Sequence, residues 1–342
     1  MYKDFRSDTV TQATPAMRRA MMEAEVGDDI LGEDPTVKKL ENMAASLFQK
    51  EAALLTVSGT MANQIAIMTA TRPGEEILLG EESHMYNLEV GGIAALSGVQ
   101  ARALKSSCGK FEAADVRKLI RKPGIQAPVS RMLCLENTYD LNRGYPLSPA
   151  YQAEMAAIAR QYDMFVYLDG ARIFNAALAL QVKVSDLAQN IDALQFCLTK
   201  GLAAPFGSLL LGSREFIARA RWIRQRIGGG MRQAGHMAAA GLVALETMTE
   251  RLQQDHDNAR RLAAGLCAID ERLTDMDLVL TNIVQIDFAS VGKTAQFVTD
   301  ALLTRGIKIK LIGETTCRMI AHAGVGPEDV DEAVQAIREI IR

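Results

Sequence analysis

Residues 164–172 read MFVYLDGAR: five apolar or aromatic positions, then a carboxylate, a glycine, an alanine and a guanidinium. A short apolar run closed by a glycine-containing turn is the pattern of a buried strand. Two other stretches repeat it. Residues 193–201, ALQFCLTKG, end in Thr199-Lys200-Gly201, and residues 52–60, AALLTVSGT, stop at Ser58-Gly59-Thr60 before a helix-compatible stretch opens at Met61. Further runs at 76–79, 101–104 and 132–136 alternate with helix-like segments such as 113–120 and 149–161. Such alternation predicts an α/β fold with a mostly parallel central sheet and helices on both faces. Open sheets of that kind bind ligands beyond the carboxyl ends of their strands, which is where Asp169, Arg172 and Lys200 fall.

Outward from this centre, Asp34 and Pro35 read as the N-cap and first position of a helix running to Lys50, with Val37, Leu40, Met43, Ala44 and Leu47 on one face. Beyond the run at 206–211, helix-compatible stretches at 214–226 and 231–255 are joined by Gly228-Gly229-Gly230, where backbone can approach a ligand closely. From about residue 275 strand-like (282–288, 307–311, 317–321) and helix-like (294–303, 327–341) segments form a small α+β unit. The expected division is a large domain of residues 16–245, a small C-terminal domain of 246–342, and an N-terminal arm of 1–15 associated with the latter.

The chain has 342 residues, 49% of them hydrophobic, and its 38 Lys and Arg nearly balance 41 Asp and Glu for a net charge of -3. That balance offers no electrostatic footprint for nucleic acid or an anionic membrane, and the apolar content excludes a disordered chain. The 5 cysteines are scattered and never form a CxxC pair, so a reducing cytoplasmic location fits. The charged start, MYKDFRSDTV, lacks a signal-peptide core, and the uncharged run 52–71 contains too many polar residues for a membrane helix.

Taken singly, Asp169 and Arg172 could be a turn with a surface ion pair, and Lys200 a solvated lysine after a strand. Together they point elsewhere. Pyridoxal 5'-phosphate chemistry needs a lysine to form an imine, a carboxylate to keep the ring nitrogen protonated, and amides at a helix start for the phosphate. Lys200, Asp169 and the Ser58-Gly59-Thr60 turn supply all three.

Six blocks, DFRSDTVT (4–11), EVGDDILGEDPTV (25–37), SGTMANQ (58–64), LDGARIFNAA (168–177), FCLTKGLAAPFGS (196–208) and GGGMRQAG (228–235), resemble the low-specificity L-threonine aldolases. The resemblance implies a fold-type I pyridoxal phosphate enzyme of the β-eliminating lyase and threonine aldolase group, a homodimer or homotetramer with sites shared between subunits. Its small-molecule amino-acid substrate would be a β-hydroxy-α-amino acid, split to glycine and an aldehyde. On the matching positions, Lys200 would form the imine, Asp169 hold the pyridine nitrogen, and Ser58, Gly59 and Thr60 bind the phosphate, completed by Arg232 from a neighbouring subunit. Ser7, Arg172 and Arg318 would bind the substrate carboxylate, with Arg172 also at the cofactor, and His84 would stack on the ring near the hydroxyl proton. His322 would support the site, and His236 and His256 would be structural.

Two positions depart from the family pattern. Within ENTYDLNRGYPL (136–147), Tyr139 stands where the family carries a histidine, and Leu31 stands where it carries a tyrosine. A neutral phenol is a poor base but a hydrogen-bond donor, so Tyr139 is a catalytic candidate of altered character. This keeps open another pyridoxal phosphate reaction, such as β-elimination, racemisation or transaldol transfer, and a non-catalytic binding homologue.

Overall fold

The computed structural model describes residues 2–122, 124–141 and 143–342, so that Asn142 of the 136–147 segment lies outside the described residues. The strands are β1 (Lys3–Asp4), β2 (Ala52–Thr56), β3 (Glu76–Gly80), β4 (Gln100–Leu104), β5 (Ser130–Glu136) and β6 (Phe165–Asp169). They continue as β7 (Ala193–Cys197), β8 (Ser208–Gly212), β9 (Ile283–Asp287), β10 (Ile307–Lys308), β11 (Lys310–Leu311) and β12 (Thr316–Ile320).

Seven strands form the central sheet in the order β2-β8-β7-β6-β5-β3-β4. The pairs from β7 through β6, β5 and β3 to β4 are parallel, whereas β8 runs antiparallel to both β2 and β7. Because side chains alternate across a strand, each strand feeds two cores. Leu55, Leu78, Leu133, Leu135, Val166 and Leu168 join one hydrophobic cluster, while Leu54, Ile77, Leu79, Met132, Cys134 and Tyr167 join another. The first lies under the helices Pro35–Phe48, Pro149–Gln161 and Gly235–Thr247, the second under Gly59–Ala70 and Arg214–Arg226. Strands covered on both faces read as continuous apolar runs, which is why these were legible in the sequence.

Asp34 caps its helix as the spacing predicts, accepting from Val37 N at 2.9 Å and from Gly235 N at 2.8 Å. A Cβ at Gly235 would fall 2.5 Å from Asp34 Oδ1, so the glycine permits two helix starts to meet. The stretch 231–255, expected as one helix, is instead two, Gly235–Thr247 and Leu252–Cys267. Tertiary packing overrides the local pattern: the first covers the central sheet and the second joins the C-terminal core through Ala259, Leu262 and Leu266.

In that C-terminal part β11, β12 and β9 form an antiparallel sheet, and β1 pairs in parallel with β10. Expected strand 307–311 is thus shared between two sheets. Phe5, fully buried, packs into the same cluster as Val284, Ile286 and Met319. Among the described residues no helix is long and apolar enough to cross a membrane.

Candidate active site

The sheet topology places the carboxyl ends of β2, β3, β5, β6 and β7 at one rim. A cavity of about 120 Å³ opens there. Each strand sends residues into it: Ser58, Gly59 and Thr60 after β2, His84 after β3, Glu136 and Asp140 from β5, Asp169 and Ala171 from β6, and Cys197, Thr199 and Lys200 from β7. Larger depressions elsewhere, such as one of about 640 Å³ around Cys267 and Arg272, bring together no comparable set.

Asp169 is held on both oxygens. Oδ2 accepts from Asn63 Nδ2 at 2.8 Å, and Oδ1 accepts from Gln195 Nε2 at 2.6 Å and from Ala171 N at 3.1 Å. Three donors on a buried carboxylate fix its direction. Lys200 forms no ion pair among the described residues, although its charge reaches Asp8, Asp140 and His84. Ser58 caps the helix Gly59–Ala70 by accepting from Met61 N at 3.2 Å, which leaves the first amides of that helix available to an anion. A Cβ at Gly59 would lie 2.8 Å from Cys197 Sγ, so only glycine lets this turn close on β7.

His84 Nδ1 lies 3.0 Å from Glu89 Oε1, and that hydrogen bond, reinforced by the charges of Asp169 and Glu89, raises the imidazole above its ordinary value. Glu89 is buried and also accepts from Asn63 at 2.7 Å and Gln64 at 2.6 Å. His84, Glu89 and Asp169 bring their ligand atoms within 4.8 Å of one another, a spacing a metal could use, but the carboxylates already serve amide donors. Glu136 accepts the backbone N–H of both His84 and Asp140 at 2.8 Å, and burial with the nearby Asp169 charge pushes its carboxyl up to about 8.

The predicted residues do not all reach the cavity. Arg172 and Arg318 are buried just behind it, and both donate to Asp140 Oδ1, at 2.7 Å and 3.0 Å. Arg172 also grips Asp8 with Nε and Nη2 at 2.7 Å each. Ser7 accepts from Thr9 N at 3.2 Å and orients Asp8 rather than lining the cavity. Arg232 is largely exposed, pairs with Asp28 at 2.7 Å and stands outside this chain's cavity. His322 uses both ring nitrogens on backbone, at Asp4 O and Gly324 N, and so ties the N-terminal arm down.

Tyr139, expected on the substrate side, is fully buried and does not line the cavity. The slot it fills is made by two glycines: a Cβ at Gly109 would lie 2.5 Å from its ring, and one at Gly80 would lie 2.1 Å from its hydroxyl. The ring therefore packs inward, and burial drives its phenol far above the ordinary range. The neighbouring Asp140 takes the cavity wall instead. The other departure, Leu31, is two-thirds exposed.

Gln195, Glu89, Asp8 and Asp140 carried no signal of their own. Only strand register brings Gln195 beside Asp169, its partner in the β6–β7 pairing. Asn63 stands one helical turn beyond the Gly59-Thr60 turn, a spacing that could have flagged it. Together these side chains fit pyridoxal phosphate: a lysine with no ion pair among the described residues, a carboxylate fixed by three donors, and a helix start closed by a glycine.

Comparison with known proteins agrees with this chemistry. The family described as Beta-eliminating lyase matches residues 4–289. A probable low-specificity L-threonine aldolase 2 of Arabidopsis thaliana is 38% identical over 342 residues, covering 98% of this chain and 96% of that protein. The low specificity L-threonine aldolase of Escherichia coli K12 is 37% identical over 333 residues, covering 96% of each. Among solved structures, the threonine aldolase of Leishmania major superposes with a TM-score of 0.85 at 18% identity, covering 99% of this chain and all of that one, a likeness of fold.

Proposed function

The chain belongs to the beta-eliminating lyase family, among relatives that are low-specificity L-threonine aldolases, and on that premise we propose that it is a pyridoxal phosphate-dependent lyase. It cleaves L-threonine, L-allo-threonine or a related β-hydroxy-α-amino acid to glycine and an aldehyde. The observation that carries this reading is the convergence of Lys200, Asp169 and the Ser58-Gly59-Thr60 helix start on one cavity.

When bound, the cofactor supplies the electron sink for the pair released as the Cα–Cβ bond breaks. The chain does the rest. Lys200 would hold the cofactor through Nζ, Asp169 would pair with its ring nitrogen, and the amides after Ser58 would hold its phosphate. His84 takes the β-hydroxyl proton at Nε2, the nitrogen that Glu89 leaves free. Arg172 and Arg318 orient the substrate carboxylate, with Ser7 acting through Asp8, and this sets which Cα bond is positioned to break.

Arg232 serves the phosphate of a second subunit, which makes the working form a homodimer or homotetramer with shared sites, in the cytoplasm. The large domain, residues 16–245, carries the cofactor, and residues 1–15 and 246–342 carry the Ser7 and Arg318 side of the substrate site.

The test is a substrate panel on the cofactor-loaded protein, with glycine and aldehyde both quantified. A loaded protein that releases neither from any β-hydroxy amino acid would sink the reading. Pyruvate and ammonia in their place would make it a β-eliminating enzyme.

A further inference from the structure

The Asp140 carboxylate stands between the cavity and two buried guanidinium groups. Its Oδ1 accepts from Arg172 Nη1 at 2.7 Å and from Arg318 Nη1 at 3.0 Å. Among the described residues Asp140 lines the cavity and neither arginine does. Asp8 consumes two further donors of Arg172, so the two guanidinium groups are matched by two carboxylates before any substrate carboxylate arrives. The arginines hold the Asp140 carboxyl far below its ordinary range, which keeps it ionised and in place.

A second observation shows that this pairing is incomplete. Arg318 is 2% exposed, yet its Nε is buried with no acceptor among the described residues. A buried donor without an acceptor is costly, and one more carboxylate oxygen would relieve it. The Asp140 backbone is anchored through its N–H to Glu136 at 2.8 Å and its carbonyl accepts from Arg318 Nη1 at 3.4 Å, so rotation of the side chain withdraws Oδ1 from both guanidinium groups while the backbone stays in place.

We propose that Asp140 is an internal stand-in for the substrate α-carboxylate and the residue that sets the site's affinity for it. An incoming carboxylate must displace Asp140 Oδ1 from Arg318 before it can use that guanidinium. This rests on the reading of Arg172 and Arg318 as the substrate-carboxylate group. Free amino acids are therefore bound weakly, and ligands that carry an amide or ester in place of the carboxylate escape the competition.

The experiment titrates glycine and glycinamide, which differ in the charge of one group, into cofactor-loaded wild type and Asp140→Asn by calorimetry. The variant should bind glycine tighter by roughly tenfold or more while glycinamide gains nothing. An unchanged or lowered ratio of the two affinities overturns the proposal. For Asp140→Ala, added acetate should raise the melting temperature by filling the vacated position, with no such rise in the wild type. A variant indifferent to acetate counts equally against it. Failure of the aldolase reading is seen separately, as a wild type that releases no glycine from L-threonine while the glycine to glycinamide comparison still judges Asp140.

Discussion

Asn63 donates its side-chain amide to Asp169 Oδ2 at 2.8 Å, from a helix on one face of the sheet to a strand end within it. The same amide reaches Glu89 Oε1 at 2.7 Å, and its carbonyl oxygen accepts from Tyr167 O–H at 2.7 Å. Asn63→Ala therefore leaves three buried groups each short of a partner. The variant should lose about 1–3 kcal/mol of stability, read by urea unfolding, and bind pyridoxal phosphate more weakly. Unaltered stability together with unaltered cofactor affinity would show that Asp169 is held without it.

Lys200→Ala should retain the fold, since its ammonium makes no ion pair among the described residues, but show no visible imine absorbance on addition of the cofactor. Cleavage should drop by about 10⁴-fold or more, as for loss of a group that the chemistry requires. Residual absorbance in the variant would point to a different lysine.

The Glu136 carboxyl, pushed from 4.5 up to about 8 by burial and then by Asp169, keeps a proton in the folded protein that the unfolded chain has lost. Its stabilising effect is full below the unfolded value and lost as pH rises through the folded one. His84, also raised, acts with the same sign. Thermal stability should therefore fall between about pH 4.5 and about pH 8, and Glu136→Gln should flatten that fall. An equally steep decline in the variant would assign it to other groups.

Tyr139→Phe should leave cleavage of L-threonine and L-allo-threonine within about twofold of wild type, because the phenol fills a glycine slot rather than the cavity. Tyr139→Ala should cost about 3–5 kcal/mol through the void left in the core. A shifted ratio between the diastereomers in Tyr139→Phe would return the hydroxyl to the chemistry.

Arg232→Ala and Lys200→Ala should each be inactive alone and regain activity when unfolded together and refolded as a mixture. A hybrid assembly then holds one site with an intact Lys200 and an intact Arg232. A mixture that stays inactive would confine Arg232 to its own chain's Asp28 pair.

The central parallel strands β3, β5, β6 and β7 were legible because each is a buried, largely apolar run, and the polar groups that follow them inherit positions from the run itself. Asp169 and Lys200 could be placed at the sheet rim for that reason. The single helix expected at 231–255 failed because nothing local marks its break; the two halves serve different cores.

The residues that aim those groups depend on contacts between segments far apart in the chain. Gln195 meets Asp169 through strand register, and Asp8 meets Arg172 across 164 positions. Tyr139 and Asp140 show the limit most plainly. Adjacent in sequence, they face opposite environments: a pair of glycines opens an inward slot for the ring, and two arginines draw the carboxylate to the cavity wall. Sequence by itself determined the class of fold and the cofactor chemistry, since both follow from local pattern and residue type. Which side chain lines the cavity was decided only by tertiary structure, because packing volume and charge pairing are properties of neighbours that the chain brings together when it folds.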